Sequence, residues 1–341
     1  MSKSGSRLEM VVAALIPAMV LAGCMAASPS ADGPSSVAPV ATPDQMASGP
    51  ATSSTSKPAG ETPAAAAGWL VVLADGPDGW RGLWRLGPGP EWIRVGDART
   101  ATARGRTPSG LALVTNAGVQ FRSSSDPSTA VGSAALAWAG QRPTKPVVAI
   151  DYSPSGKVAV VTADEVSVGY AVSGANGTLA ALTPAPIQSF SPLVAWLDDS
   201  RLLVLSTDSQ QVSRLAVVDV TAHTIDPAGA LSGVRVFALS ADRGMVAAAT
   251  ETGVYAGPLT GFTGTSAPGR VATLAEGEVV WALALDRDGS TLFMLAGTIN
   301  ASGSMDSVRE VSYTRRGSDW QKVLDFAVPF GRAIAQVYLP S

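Results

Sequence analysis

The sequence has few of the residues that most catalytic and metal sites require. It contains one cysteine and one histidine in 341 residues. A lone cysteine excludes a disulfide within the chain, and one Cys with one His excludes the Cys/His ligand sets of zinc sites. No phosphate-binding loop and no dinucleotide fingerprint is present. Carboxylates and aromatic side chains are therefore the chemical groups that remain to be considered.

Charged residues and long hydrophobic runs are also scarce. Charged residues make up 15% of the chain and the net charge is −3, against a charged fraction of about 25% in an average soluble domain. No basic cluster occurs, so the charge pattern argues against nucleic acid and anionic lipid surfaces as partners. The N-terminal apolar run, Met10–Ala22, is 13 residues long, whereas a membrane-spanning helix needs about 20.

The N-terminus has the order of a bacterial signal peptide. Lys3 and Arg7 precede the apolar run, which ends in Leu21, Ala22, Gly23 and Cys24. This ending resembles a lipobox, and the resemblance implies cleavage before Cys24 and a lipid anchor on that cysteine. It predicts residues 1–23 as the signal peptide and places the protein on the extracytoplasmic face of the cell membrane. The alternative is an ordinary secretory signal with an incidental cysteine.

Residues 24–67 form the next segment, the lipidated cysteine followed by a linker. Of the 43 residues from 25 to 67, 34 are Ala, Ser, Pro, Thr or Gly. Such a composition has too little apolar surface to offset the entropy of ordering the chain. We therefore expect a disordered tether between the membrane and a domain that spans residues 68–341.

The domain repeats a strand–turn–strand unit. Its turns are centred on Gly110, Gly156, Ser200, Gly244 and Gly289, which are 46, 44, 44 and 45 residues apart. A period of roughly 40–45 residues with several strands per unit is typical of a β-propeller blade. We expect Gly156, Gly244 and Gly289 to have a positive φ, which glycine adopts without a steric penalty.

One turn carries a family resemblance. Ser153-Pro154-Ser155-Gly156-Lys157 resembles the Ser-Pro-Asp-Gly-Lys turn of TolB-like and WD40-like propellers, with Ser155 where Asp is usual. The resemblance implies an all-β propeller fold and little about function.

The end of the chain indicates how the ring closes. Ala333–Ser341 matches Val147–Ser155, the first strand of a repeat, and stops at the turn. The domain begins with Trp69–Leu73, which matches a second strand without a first. We expect these segments to pair and complete one blade, which removes exposed sheet edges. Five turns and this composite blade predict six blades, with five or seven as alternatives.

The candidate chemical groups lie mostly at turns and strand ends. His223 is expected in a turn next to an outer strand, and the paired aspartates before Gly289 could start a calcium loop or serve the turn itself. Paired carboxylates could support glycoside hydrolysis, and tryptophans could bind sugars or a partner or simply fill the core. The carboxylates are Asp151, Asp164, Glu165, Asp198, Asp199, Asp286 and Asp288; the tryptophans are Trp69, Trp80, Trp84, Trp138, Trp196 and Trp281.

The sequence therefore predicts a membrane-anchored lipoprotein that works as a non-enzymatic binding scaffold. We assign no catalytic residue, cofactor or metal. The expected partners are membrane lipid through Cys24 and an envelope protein or cell-wall glycan. The alternative is a propeller hydrolase or lyase acting on an extracytoplasmic glycan or small molecule.

Overall fold

The computed structural model describes most of the chain from Gly68 onward. The described residues are 68–86, 91–163, 168–174, 177–182, 193–208, 210, 212–227, 229, 231–264, 268–299, 305–331 and 333–340. The predicted signal peptide, the lipobox with Cys24 and the linker lie outside these ranges, as do Asp164 and Glu165.

The first half of the domain contains three groups of strands. Blade 1 includes β1 (Gly68–Asp75), β2 (Arg81–Leu86) and β3 (Trp92–Asp97). Blade 2 contains β4 (Ala103–Thr107), β5 (Gly110–Thr115), β6 (Gly118–Ser123) and β7 (Ala130–Ala134). Blade 3 contains β8 (Val147–Tyr152), β9 (Val158–Ala163), β10 (Val168–Ser173) and β11 (Leu179–Ala181).

The second half continues the pattern. Blade 4 contains β12 (Val194–Trp196), β13 (Arg201–Thr207), β14 (Ser213–Asp219) and β15 (Thr224–Pro227). Blade 5 contains β16 (Val236–Leu239), β17 (Met245–Ala249), β18 (Gly253–Pro258), a short helix α1 (Leu259–Thr263) and β19 (Gly269–Thr273). Blade 6 contains β20 (Glu278–Leu285), β21 (Thr291–Ile299), β22 (Met305–Arg316) and β23 (Asp319–Ala327), and β24 (Ala333–Pro340) follows.

These strands form six antiparallel sheets of four strands each. Five sheets follow chain order, and the sixth has the order β24-β1-β2-β3. The fold is an all-β, six-bladed propeller, as the repeat period predicts. The first strands of the blades, β24, β4, β8, β12, β16 and β20, line the centre, and the turns that follow them lie on one face of the ring, here called the turn face.

The C-terminal strand closes the ring as the sequence predicts. It pairs antiparallel with β1, and Trp69 lies opposite Leu339 while Leu73 lies opposite Ala335. Two segments from opposite ends of the domain therefore share one blade.

The hydrophobic core is divided among the six contacts between neighbouring blades. Strand β13 shows how alternation produces this arrangement. Leu202 and Val204 face the cluster shared with blade 3, whereas Leu203 and Leu205 face the cluster shared with blade 5. Both faces of the sheet are buried, which is why the strands read as almost continuous apolar runs.

The repeated turns of blades 3, 5 and 6 each contain a left-handed residue, which is not always glycine. Gly156 and Gly289 have φ values of 85° and 72°, as expected. Gly244 does not have a positive φ, and the expectation for this glycine is wrong. Arg243, one residue earlier, has φ 64°. Its amide donates to the Ser240 carbonyl at 3.0 Å, so Arg243 and not Gly244 occupies the turn's left-handed position.

Within the described part of the chain, no helix is long and apolar enough to cross a membrane.

Candidate functional site

The turn carboxylates make hydrogen bonds that shape the turns. Asp198 Oδ1 accepts the amides of Ser200 and Arg201, each at 2.8 Å. Asp288 Oδ1 accepts the Ser290 amide at 3.0 Å, and Asp286 Oδ2 accepts the Ser290 hydroxyl at 2.8 Å. These contacts give the aspartates of the proposed calcium loop a structural role in their turn. No group of three or more possible metal-ligating His, Cys, Asp or Glu side chains occurs among the described residues.

Asp199 makes its contacts between blades. Its Oδ1 accepts the Ser155 amide at 2.9 Å, and its carbonyl accepts Lys157 Nζ at 2.8 Å. Hydrogen bonds from the Ser153 and Ser155 hydroxyls, and then from the Ser155 amide, lower the pKa of Asp199 to about 2. Asp199 therefore ties the turn of blade 3 to the turn of blade 4.

Asp151 lies elsewhere, at the end of the innermost strand of blade 3. Its side chain is 4% exposed, and Oδ2 accepts the Trp196 amide at 2.8 Å. Trp196 ends the innermost strand of blade 4, so the carboxylate caps an open strand edge at the centre of the ring.

Arginine side chains cross the same end of the channel. Arg106 Nη1 donates to the Leu239 carbonyl at 3.0 Å, which links blade 2 to blade 5 on the opposite side of the ring. Arg243 Nη2 donates to the Tyr152 carbonyl at 3.1 Å and so links blade 5 to blade 3. The bonded carbonyls belong to the last residues of their strands, so the crossing lies at the turn face.

Four charged groups share this space, and we call them the channel cluster: Arg104, Arg106, Asp151 and Arg243. Burial lowers the pKa of Arg104 to about 10, Arg106 adds to this effect and Asp151 opposes it. Burial also lowers the pKa of Arg243. Burial raises the pKa of Asp151, although the three arginines and the Trp196 amide all favour its charged form. Three partly buried guanidinium groups thus face one buried carboxylate.

The close approach of blades 2 and 3 depends on Gly105. A Cβ on this residue would lie 1.9 Å from the Ile150 carbonyl oxygen. The Arg-Gly-Arg sequence of β4 therefore brings two arginines next to Asp151 without separating the strands.

The tryptophans fall into distinct environments. Trp196 is fully buried, and Trp84 is 7% exposed, which matches a role in blade packing. Trp80 is 51% exposed and lies in the turn between β1 and β2. The Arg99 guanidinium stacks 4.3 Å from the centre of its ring. Since this turn joins a second strand to a third, Trp80 lies on the face opposite the turn face.

A small cavity of about 310 Å³ lies beside the connection from blade 2 to blade 3. It is lined by both apolar and basic side chains, including Leu136, Trp138 and Arg142. Backbone bonds hold this connection against β11, because the Ala139 amide donates to the Leu179 carbonyl at 2.7 Å.

His223 lies in the turn between β14 and β15, as the sequence predicts, and is exposed. Sequence reasoning missed Arg104, Arg106 and Arg243. The sequence did contain a signal for Arg104 and Arg106, because β4 is the one innermost strand in the described domain with alternating arginines. Arg243 gave no comparable signal, since it occurs next to the glycine that the repeat alignment selected.

Comparisons with known proteins support the propeller fold. No family model and no curated protein matches the sequence. Among solved structures, a protein assigned as TolB from Agrobacterium tumefaciens is 12% identical with a TM-score of 0.50, covering 80% of this chain and 94% of that one. At this identity the likeness shows the propeller fold alone.

Two other solved structures have lower TM-scores. A protein assigned as 6-phosphogluconolactonase from Bacteroides fragilis is 10% identical with a TM-score of 0.42, covering 80% of this chain and 98% of that one. Kuenenia stuttgartiensis hydrazine synthase is 14% identical with a TM-score of 0.46, covering 66% of each chain.

Proposed function

We propose that this protein is a lipoprotein, anchored through Cys24 on the extracytoplasmic face of the cell membrane, whose propeller binds an envelope protein without catalysing a reaction. The observation that carries the binding role is the exposed Trp80 with Arg99 stacked upon it. Tryptophan and arginine are enriched at the energetic centres of protein interfaces, where a large rigid ring loses little entropy on binding.

The surroundings of Trp80 support this role. The Trp80 amide donates to Asp78 Oδ1 at 3.0 Å, and Asp78 Oδ2 accepts Arg94 Nη1 at 2.6 Å. These bonds hold the turn in one conformation. Ordering the turn before binding reduces the entropy that association costs.

The partner is to be captured by crosslinking in intact cells, followed by mass spectrometry. We expect one envelope protein to dominate the crosslinks, and Trp80→Ala to remove most of that signal. Val131→Ala is the matched control, because Val131 is also exposed, at 63%, and lies on blade 2. Crosslinks that are unchanged in Trp80→Ala would place the binding surface elsewhere. Retention of a cell-wall glycan instead of a protein would support the glycan partner.

The anchor requires a separate test. Cys24→Ala should release the protein from the membrane fraction or leave it unprocessed. A mature protein with an unmodified Cys24, seen by intact mass spectrometry, would contradict lipidation.

A hydrolase or lyase is the second candidate, and the observation that favours it is Asp151. A buried carboxyl among arginines with a raised pKa is the kind of group that general acid catalysis uses. Turnover of a glycoside or ester by the purified protein, lost in Asp151→Asn while the melting temperature is kept, would favour the enzyme over the scaffold.

A further inference from the structure

Arg243 has a left-handed backbone conformation for which the neighbouring blade 6 uses a glycine. The blade 5 turn from Ser240 to Met245 and the blade 6 turn from Asp286 to Thr291 have the same length and the same closing hydrogen bond. Arg243 has φ 64° where blade 6 has Gly289 with φ 72°. A side chain in this region is strained, and such strain persists where the surrounding structure enforces it, often at functional sites.

The strained backbone directs a guanidinium into the channel. Nη2 of Arg243 is bonded to the Tyr152 carbonyl, while Nη1 is buried and has no hydrogen-bond partner in this structure. Buried donors are nearly always paired, because an unmade bond costs the full desolvation of the group. Nη1 can therefore donate to an acceptor that enters the channel, such as water or an oxygen of a solute.

Positive side chains lie close together around this donor. Arg106 and Arg243 face the carboxylate of Asp151, whose Oδ2 already accepts the Trp196 amide. Asp198 and Asp199 lie near the rim, but both are engaged. Asp198 pairs with Arg201 at 2.7 Å, and Asp199 accepts the Ser155 amide and lies near the ammonium group of Lys157. A bound anion would add a further negative group beside the partly buried Arg106 and Arg243.

We propose that the turn-face end of the channel is an oxyanion site, in which Arg243 and Arg106 bind a phosphate or carboxylate group. Guanidinium groups suit these anions, because their planar donors match the spacing of two oxygens. Because Arg106 and Arg243 are partly buried, their attraction to an anion is stronger than that of fully exposed arginines. The group can be carried by a small solute or by an acidic polypeptide. This site lies on the face opposite Trp80 and does not depend on the proposed scaffold role.

The test measures binding to the full-length protein by calorimetry and by the shift in melting temperature. The probes are inorganic phosphate, succinate and a hexaglutamate peptide, each compared with chloride at equal ionic strength. We expect at least one oxyanion to bind and to raise the melting temperature where chloride does not. Arg243→Gly should weaken that binding about tenfold or more, as loss of a charge-assisted bond does.

Arg243→Gly also separates binding from folding. Because blade 6 holds glycine at this position, the variant should melt close to the temperature of the parent without anion, since relief of the backbone strain offsets the lost bond to the Tyr152 carbonyl. Arg243→Asn, which tolerates a positive φ, is the second variant and should lose binding equally. Arg316→Gln removes one exposed positive charge from the outer edge of blade 6 and should bind like the parent.

Binding of phosphate or succinate supports a small-solute ligand, and binding of the peptide alone supports an acidic partner; both outcomes support the site. No preference over chloride, or equal binding by the parent and both Arg243 variants, would overturn the proposal.

Discussion

Removing the last strand should destabilise the whole ring and not merely fray its end. A chain that stops at Gly331 lacks β24, which pairs with β1 from Ala74 back to Gly68. The side chains of β24 also pack against both neighbours of blade 1. Tyr338 belongs to the core shared with blade 6, and Val337 and Leu339 belong to the core shared with blade 2.

The size of the effect follows from this burial. Val337, Tyr338 and Leu339 are 6%, 4% and 1% exposed. Burying one large apolar side chain contributes about 1.5–3 kcal/mol, so the three together contribute about 4.5–9 kcal/mol. A domain is typically stable by only about 5–15 kcal/mol, so the truncated chain should lose most of its free energy of unfolding. The uncovered edge of β1 should also promote association between chains.

The assay is thermal melting together with size-exclusion chromatography of the parent and the truncated chain. A milder variant, Leu339→Ala, should cost about 2–5 kcal/mol. Leu324→Ala is its control, since Leu324 is 38% exposed on the outermost strand of blade 6, and it should cost no more than about 0.5 kcal/mol. A truncated chain that stays monomeric and melts like the parent would refute the reasoning, because the ring would then be stable without its closing strand.

Three further predictions concern the turns and the linker. Gly289→Ala should lower the melting temperature more than Gly156→Ala. Both glycines have a positive φ, but only a Cβ at Gly289 would meet Met245, at 2.4 Å. Equal losses in the two variants would show that the contact with Met245 adds no cost. The pKa of Asp198 is lowered from 3.8 to about 2, since hydrogen bonds from Ser200 and Arg201 outweigh the opposing effect of burial. Its stabilising contribution is therefore complete above about pH 4 and lost as the pH falls towards 2; Asp198→Asn should flatten an acid melting series over that range, and an unchanged slope would contradict this. Limited proteolysis should cut within residues 25–67 and leave a resistant core starting near Gly68; a protected linker would contradict the expected disorder.

Much of the architecture could be predicted from the order of residues. The turn spacing and the unmatched end segments together predicted six blades, with five or seven as alternatives, because each repeat encodes one sheet that cannot bury its two faces alone. The structure confirms six. The unmatched segments at the two ends indicated the closing strand, since a propeller leaves no first strand without a second. The short apolar runs predicted strands, and residues such as Leu202 and Leu203 then alternate between two cores.

The left-handed turn position illustrates where sequence alone is insufficient. Aligning glycines selected Gly244, yet the backbone bond from Arg243 to Ser240 shows that arginine takes the place of glycine in this turn. Composition favours glycine at such a position, but the turn's hydrogen bonds decide which residue occupies it.

The sequence by itself determined the repeat and the ring closure, because both depend on local patterns that recur at a fixed spacing. The lipid anchor on Cys24 stays a prediction. Only the tertiary structure decided the channel cluster. Arg106 and Leu239 are 133 residues apart, and Arg243 and Tyr152 are 91 apart. Their contacts exist because closure places non-consecutive blades around one axis, and no local pattern encodes which side chains meet there.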